Sequence, residues 1–178
     1  MSIEISEYDP RWPARAALAV EELRAVVPGL FAEIEHVGST SVPGLVAKPV
    51  IDLMACVKRL DDVTPEHEAA IESLGYRRED AGMPDRIFFP RDDAAGVRTH
   101  HLHVVLLDGW PTRNQRLLRD HLRAHPEAAG EYAALKRALA AGEPDGMAYT
   151  RGKTALIQRL VDRERAARGL PLVSVWEE

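Results

Sequence analysis

The stretch His36-Val37-Gly38-Ser39-Thr40-Ser41, followed by Lys48-Pro49 and the apolar run Val50 to Val57, constrains this chain most. The run has the length and the aliphatic, β-branched content of a buried strand. One carboxylate, Asp52, interrupts it. A carboxylate in such a strand is costly unless a cation, a metal or several hydrogen-bond donors meet it. Gly38 permits close backbone approach, and Ser39, Thr40 and Ser41 supply hydroxyls and amides suited to an anion. An anion cradle leading into a strand carboxylate is how a metal-assisted phosphoryl or nucleotidyl transfer site is built. The competing reading is a structural carboxylate that caps the Gly38–Ser41 amides.

The remaining elements place a second signal beside the first. Pro10 and Pro13 precede an amphipathic helix over Ala14 to Val27, ended by Pro28-Gly29. Ile34 to Val37 reads as a short strand. Thr64-Pro65 has N-cap chemistry and opens a helix to Leu74, closed by Gly75. Ile87 to Phe89 and Arg98 to Leu107 read as strands, with turn material at Arg91 to Gly96. Helices follow at about 114–124, 127–141 and 149–168. Strands first and helices last predict an α+β fold, a mixed β-sheet flanked by helices with a helical C-terminal third. No internal repeat is visible, so the expectation is one domain over residues 1–178.

On the strand from Arg98, His101 and His103 share a face, about 7 Å apart at a rise of ~3.4 Å per residue. With Asp52 they make a two-histidine, one-carboxylate set suited to Zn, Mn, Fe or Ni better than to Mg. Their alternative is hydrogen bonding and packing within the sheet. His36, just before Gly38, reads as a partly buried strand histidine or a further ligand contact. Lys48 lies where it neutralises either Asp52 or a bound phosphate. Arg116, Arg119 and Arg123 recur at helical spacing and read as a salt-bridged surface, with Asp120 in reach of Arg116. Cys56 reads as a small core residue. No Gly-x-Ser-x-Gly elbow supports a hydrolase triad.

The formal net charge of -5 argues against a general nucleic-acid-binding surface. No run approaches the ~18 apolar residues that span a bilayer, and the acidic N-terminal stretch is not a signal peptide. A single cysteine excludes an intramolecular disulfide framework and fits a reducing cytoplasm. The apolar tail Leu170 to Trp176 is expected to pack on its own domain or on a second subunit, for a monomer or a homodimer.

Several blocks resemble the GrpB-like family, a nucleotidyltransferase-like group also found fused to dephospho-CoA kinase. They are Tyr8-Asp9-Pro10-Arg11-Trp12-Pro13, Glu35 to Leu45, Lys48 to Asp52, Thr99 to Val104, Leu118 to Arg123, Tyr132 to Lys136 and Tyr149-Thr150-Arg151-Gly152-Lys153. The resemblance implies a nucleotidyltransferase-like fold with phosphate held at Gly38, Ser39, Thr40 and Ser41. It also implies a phosphate-side lysine on the C-terminal helix, Lys153. Superfamily transferases carry a second carboxylate two residues after the first, and Met54 stands there instead. The expectation is therefore a protein that binds a nucleotide or other phosphorylated small molecule, with Asp52 catalytic and Asp52, His101 and His103 holding a divalent Mg, Mn or Zn ion. The alternatives are a non-catalytic binding or accessory module, for example in a coenzyme A context, and a metal-dependent phosphohydrolase.

Overall fold

A computed structural model describes residues 4–142 and 145–175. Four strands, β1 (Glu33–Val37), β2 (Ile51–Val57), β3 (Arg86–Asp92) and β4 (Arg98–Leu106), form one sheet in the order β1-β2-β4-β3. The central pair, β2 with β4, is parallel, and both edge pairs are antiparallel. Among the described residues there are five α-helices: α1 (Trp12–Val26), α2 (Pro65–Glu72), α3 (Asn114–Ala124), α4 (Pro126–Ala141) and α5 (Gly146–Ala167). The mixed sheet and the helical C-terminal third expected from the sequence are both present. Among the described residues no helix is long and apolar enough to cross a membrane.

Strand alternation sorts β2 into two environments. Ile51, Leu53, Ala55 and Val57 join Leu102 and Val104 of β4, Phe89 of β3 and the inner face of α1 in the main core. Trp12 anchors that core at 1% exposure. It stands edge-to-face with Tyr8, while Asp9 ties down the Arg11 guanidinium and amide. The Tyr8 to Pro13 block is thus a helix-start and packing device. Met54 and Cys56 point to the opposite face and pack with Val37, Val105 and Trp110. Cys56 is buried, as expected of a core residue.

Element boundaries differ from the sequence expectation where local chemistry extends them. β3 runs through Pro90 to Asp92 instead of turning at Arg91. An edge strand tolerates proline, because one side of its backbone needs no ladder donor. α5 begins at Gly146 because Asp145 caps it, its carboxylate accepting from the Ala148 amide at 2.7 Å. The C-terminal tail folds back on α5. Gln158 donates to the Val173 carbonyl and accepts from the Val175 amide, both at 2.9 Å. Trp176 lies outside the described residues.

α3 is fixed to the sheet by charge. Glu35 on β1 accepts from Arg116 at 2.9 Å and from Arg119 at 2.6 Å. Arg116 also lies over the Trp110 ring, 4.8 Å from its centroid. The arginine stripe is accordingly a clamp between elements and not a surface ladder. Asp120 pairs with Arg119 and Arg168 and not with Arg116, whose fork the nearer Glu35 occupies. Removing one member of a partly buried pair leaves the others uncompensated. Glu35→Ala is therefore expected to lower unfolding stability by about 1–3 kcal/mol, and equal urea midpoints for the two proteins would refute the clamp.

Candidate functional site

Gly38 ends β1 with φ 72 and ψ -175, a region that only glycine occupies without strain. A Cβ there would meet Oδ2 of Asp52 at 2.5 Å. The glycine brings the loop backbone against the strand carboxylate, and the chain then turns through a 3-10 segment at Ser39–Ser41. The loop hydroxyls have different roles. Ser41 donates its hydroxyl and its amide to the Gly38 carbonyl, at 2.5 and 3.1 Å. Thr40 is buried, and its Oγ1 hydrogen-bonds His36 Nε2 at 2.8 Å. Burial pushes the His36 imidazole down to about 4. Ser41 therefore closes the turn and is not available to a ligand, a correction to the four-residue cradle. Thr40 lines the cleft beside Ser39, whose hydroxyl accepts from Lys136.

Parallel pairing sets Asp52 opposite His101 and Met54 opposite His103. His101 donates Nδ1–H to Asp52 Oδ1 at 2.9 Å, and its Nε2 accepts from Arg98 at 3.1 Å. That pair of bonds fixes the tautomer. Asp52 thus accepts a hydrogen bond from His101 across the sheet. Phe88 flanks both imidazoles, with ring centroids 5.2 and 5.0 Å away. Burial holds His103 down at about 4.

Donor atoms of Asp52, His101 and His103 lie within 4.8 Å of one another. A pair of Mg²⁺ ions does not fit this set, since Met54 offers no hard oxygen. One carboxylate with two imidazoles matches a single borderline ion in donor type, and His101 would join it only by releasing Arg98 at Nε2 or its proton to Asp52 at Nδ1.

On the other side of Asp52 lies a cleft of about 140 Å³ lined by Ser39, Lys48, His101, Lys136, Tyr149 and Lys153 among others. Lys136 of α4 donates to the Ser39 hydroxyl and, at 3.0 Å, to the Val46 carbonyl. Lys48 and Lys153 lie 5.1 and 4.4 Å from the centroid of the Tyr149 ring. Helices α4 and α5 approach closely at Gly152, where a Cβ would meet Leu139 at 2.5 Å. That approach brings the lysines of the two helices to one cleft.

Burial, then repulsion from Lys153 and Lys48, pushes Lys136 down to about 7. Burial and Lys48 push Lys153 down to about 8. Asp52 opposes both shifts but does not cancel them. Three ammonium groups facing one carboxylate make a site that lacks negative charge. Lys48 makes no ion pair with Asp52. Lys136 went unassigned from sequence: it lies 97 residues from Ser39, so no local spacing links it to the loop. Arg123, read as surface, donates to the Ser41 carbonyl at 2.9 Å and holds the turn.

A family profile described as GrpB protein matches residues 2–163. A UPF0157 protein of Pseudomonas aeruginosa is 40% identical over 96% of this chain and 71% of its own length. A dephospho-CoA kinase of Mycolicibacterium paratuberculosis is 30% identical over 72% of this chain, which corresponds to 37% of that protein. Among solved structures, conserved protein GrpB from Enterococcus faecalis superimposes with a TM-score of 0.83 at 28% identity, covering 93% of this chain and 99% of that one. Terminal uridylyl transferase 4 from Trypanosoma brucei, with bound dUTP, gives 0.56 at 15% identity over 94% of this chain and 57% of that one, a likeness of fold. The chain belongs to the GrpB family, and its fold is nucleotidyltransferase-like.

The contact between Gly38 and Asp52 is open to a direct test. Gly38→Ala combines a glycine-only backbone with a clash against the carboxylate, so a loss of about 1–3 kcal/mol is expected. The same change should displace Asp52 from His101, seen as altered His101 ring shifts by NMR. An unchanged melting temperature with unchanged His101 shifts would remove the close approach from the account.

Proposed function

We propose that this GrpB-family chain binds a phosphorylated small molecule, a nucleotide foremost, with its phosphate between Ser39, Lys48, Lys136 and Lys153. Three lysines lining one cleft beside Asp52, one of them donating to Ser39, carry this reading. Burial, and then repulsion among the lysines, holds two of them low; an anion there would offset the repulsion and accept charge-assisted hydrogen bonds from them. In a transfer reaction the lysines neutralise the phosphoryl group, and Asp52, oriented by His101, accepts the proton of an attacking hydroxyl. A single Zn²⁺ or Mn²⁺ held by Asp52, His101 and His103 would add Lewis-acid polarisation of a phosphoryl oxygen. Met54 favours a second reading, a binding module without transfer, because the second hard ligand is missing. The partial-length match to dephospho-CoA kinases supports a coenzyme A setting for such a module by association alone.

Titration with tripolyphosphate tests the phosphate site. Binding is expected, and Lys136→Met or Lys153→Met should each weaken it roughly tenfold to a hundredfold. The pH sign follows from the lysines. An unfolded lysine keeps its proton to about pH 10, so their charged burial destabilises the free protein fully at pH 6, and that cost starts to fade above about 7 and 8 and is gone only near pH 10. Thermal stabilisation by tripolyphosphate should therefore be larger at pH 6 than at pH 9, although the ligand itself gains charge. Binding that ignores both lysines, or strengthens toward pH 9, would reject the site.

A metal titration separates the two readings at Met54. Zn²⁺ or Mn²⁺ should raise the melting temperature of the natural protein, Mg²⁺ should not, and Asp52→Asn should abolish the effect. Met54→Asp should cost about 1–3 kcal/mol without metal and regain much of it with Mg²⁺ or Mn²⁺. No metal-dependent gain in that variant would mean that position 54 does not face a metal, leaving the binding module.

A further inference from the structure

A second cavity, of about 200 Å³, lies between the sheet face and α3, and its walls include Ser39, Asp52, Met54, His103, Gln115 and Leu118. It shares Ser39 and Asp52 with the lysine cleft, so the two compartments meet at the carboxylate. Their chemistry is opposite. The lysine cleft holds uncompensated cations. Here the two arginines in the wall are already paired, Arg86 with Asp85 and Arg119 with Glu35 and Asp120. This cavity therefore offers no free charge to an anion. Much of its surface is apolar, and Met54, the residue that displaces the second carboxylate, supplies part of it.

Two polar atoms in this wall lack partners. His103 Nδ1 and Gln115 Oε1 are both buried without a hydrogen bond. Buried polar atoms in native proteins are nearly always satisfied, and each exception asks for an explanation. A ligand that presents a polar edge and apolar faces would satisfy both and cover Met54 and Leu118. A sugar would not, because its hydroxyls would lie unpaired against those side chains. A dry cavity of roughly 150 Å³ accommodates a benzene ring, so this volume suits a substituted six-membered heterocycle.

We infer that this cavity is the seat of the nucleobase of the phosphorylated ligand, placed across Asp52 from the phosphate. The inference rests on the phosphate reading above and narrows its ligand to nucleotides. Gln115 Oε1 accepts from a ring or exocyclic N–H of the base. His103 Nδ1 meets the neighbouring edge atom as donor or acceptor according to its tautomer. An imidazole has two nitrogens, so a metal on one leaves the other for the base. Nucleobases carry such adjacent donors and acceptors along one edge, between flat apolar faces.

Calorimetric titration of the full chain with tripolyphosphate, ATP, GTP, CTP and UTP, in metal-free buffer, tests this. At least one nucleotide should bind roughly tenfold or more tighter than tripolyphosphate. Gln115→Leu removes the acceptor at similar size, and Leu118→Trp fills the cavity. Each should shrink that advantage to below about threefold while leaving tripolyphosphate affinity unchanged, with thermal melts confirming a folded protein. If tripolyphosphate binds and no nucleotide improves on it, or if the advantage survives both substitutions, the base compartment is wrong and the phosphate site stands. If tripolyphosphate does not bind, the phosphate reading falls and this inference with it.

Discussion

The parallel pairing of β2 with β4 is the constraint on which the rest of the molecule depends. Parallel neighbours cannot be joined by a tight turn, and here the crossover carries α2 and then β3, which returns to the far edge of β4. The pair is central, so both of its faces must be covered. Alternation then divides the work within single strands. Leu102 and Val104 of β4 enter the main core with Ile51 and Leu53, whereas Asp52, His101 and His103 share the opposite face. The register Asp52↔His101 makes a histidine–carboxylate hydrogen bond a consequence of sheet geometry and not of loop placement. A slip by one residue would send Asp52 into the core and Leu53 into the site.

Charge is sorted around that face with equal consistency. The arginines of α3 are matched: Arg116 and Arg119 close on Glu35, and Arg123 closes on the Ser41 carbonyl. The lysines of the neighbouring cleft are not matched. Lys136 and Lys153 are held below their ordinary values because burial is compounded by other lysines, with Asp52 the opposing charge. Matched arginines build the scaffold, and the unmatched lysines are the basis of the proposed phosphate site. Nearby, at Gly38, a backbone conformation open only to glycine lets the loop lie against the carboxylate. Perturbed ionisable groups at one place are a pattern of functional sites.

Much of this was legible in the sequence because it follows from short-range periodicity. The period of two in Val50 to Val57 and in Thr99 to Val104 fixes which residues share a face, and Asp52, His101 and His103 meet accordingly. Composition at the helix starts located α2 and the C-terminal helices to within a few residues, and the missed start of α5 lay at an Asp-Gly pair that reads equally as a turn. What could not be read depends on long-range packing. Lys136 belongs to a helix whose approach to the loop is set by Gly152 against Leu139, a contact between elements. Ser41 looked like Ser39, but turn geometry commits one hydroxyl inward and leaves the other facing the cleft. Gln115, beside a row of arginines, carries no local signal of the cavity it lines.

The central claim is that a phosphate belongs among Ser39, Lys136 and Lys153 beside Asp52. A crystal structure of the protein grown with a nucleoside triphosphate measures this directly. The account predicts phosphate oxygens within about 3.2 Å of Lys136 Nζ, Lys153 Nζ and Ser39 Oγ. Phosphates found instead in the groove lined by Arg123 and Arg137, with the three lysines left free of them, would contradict it.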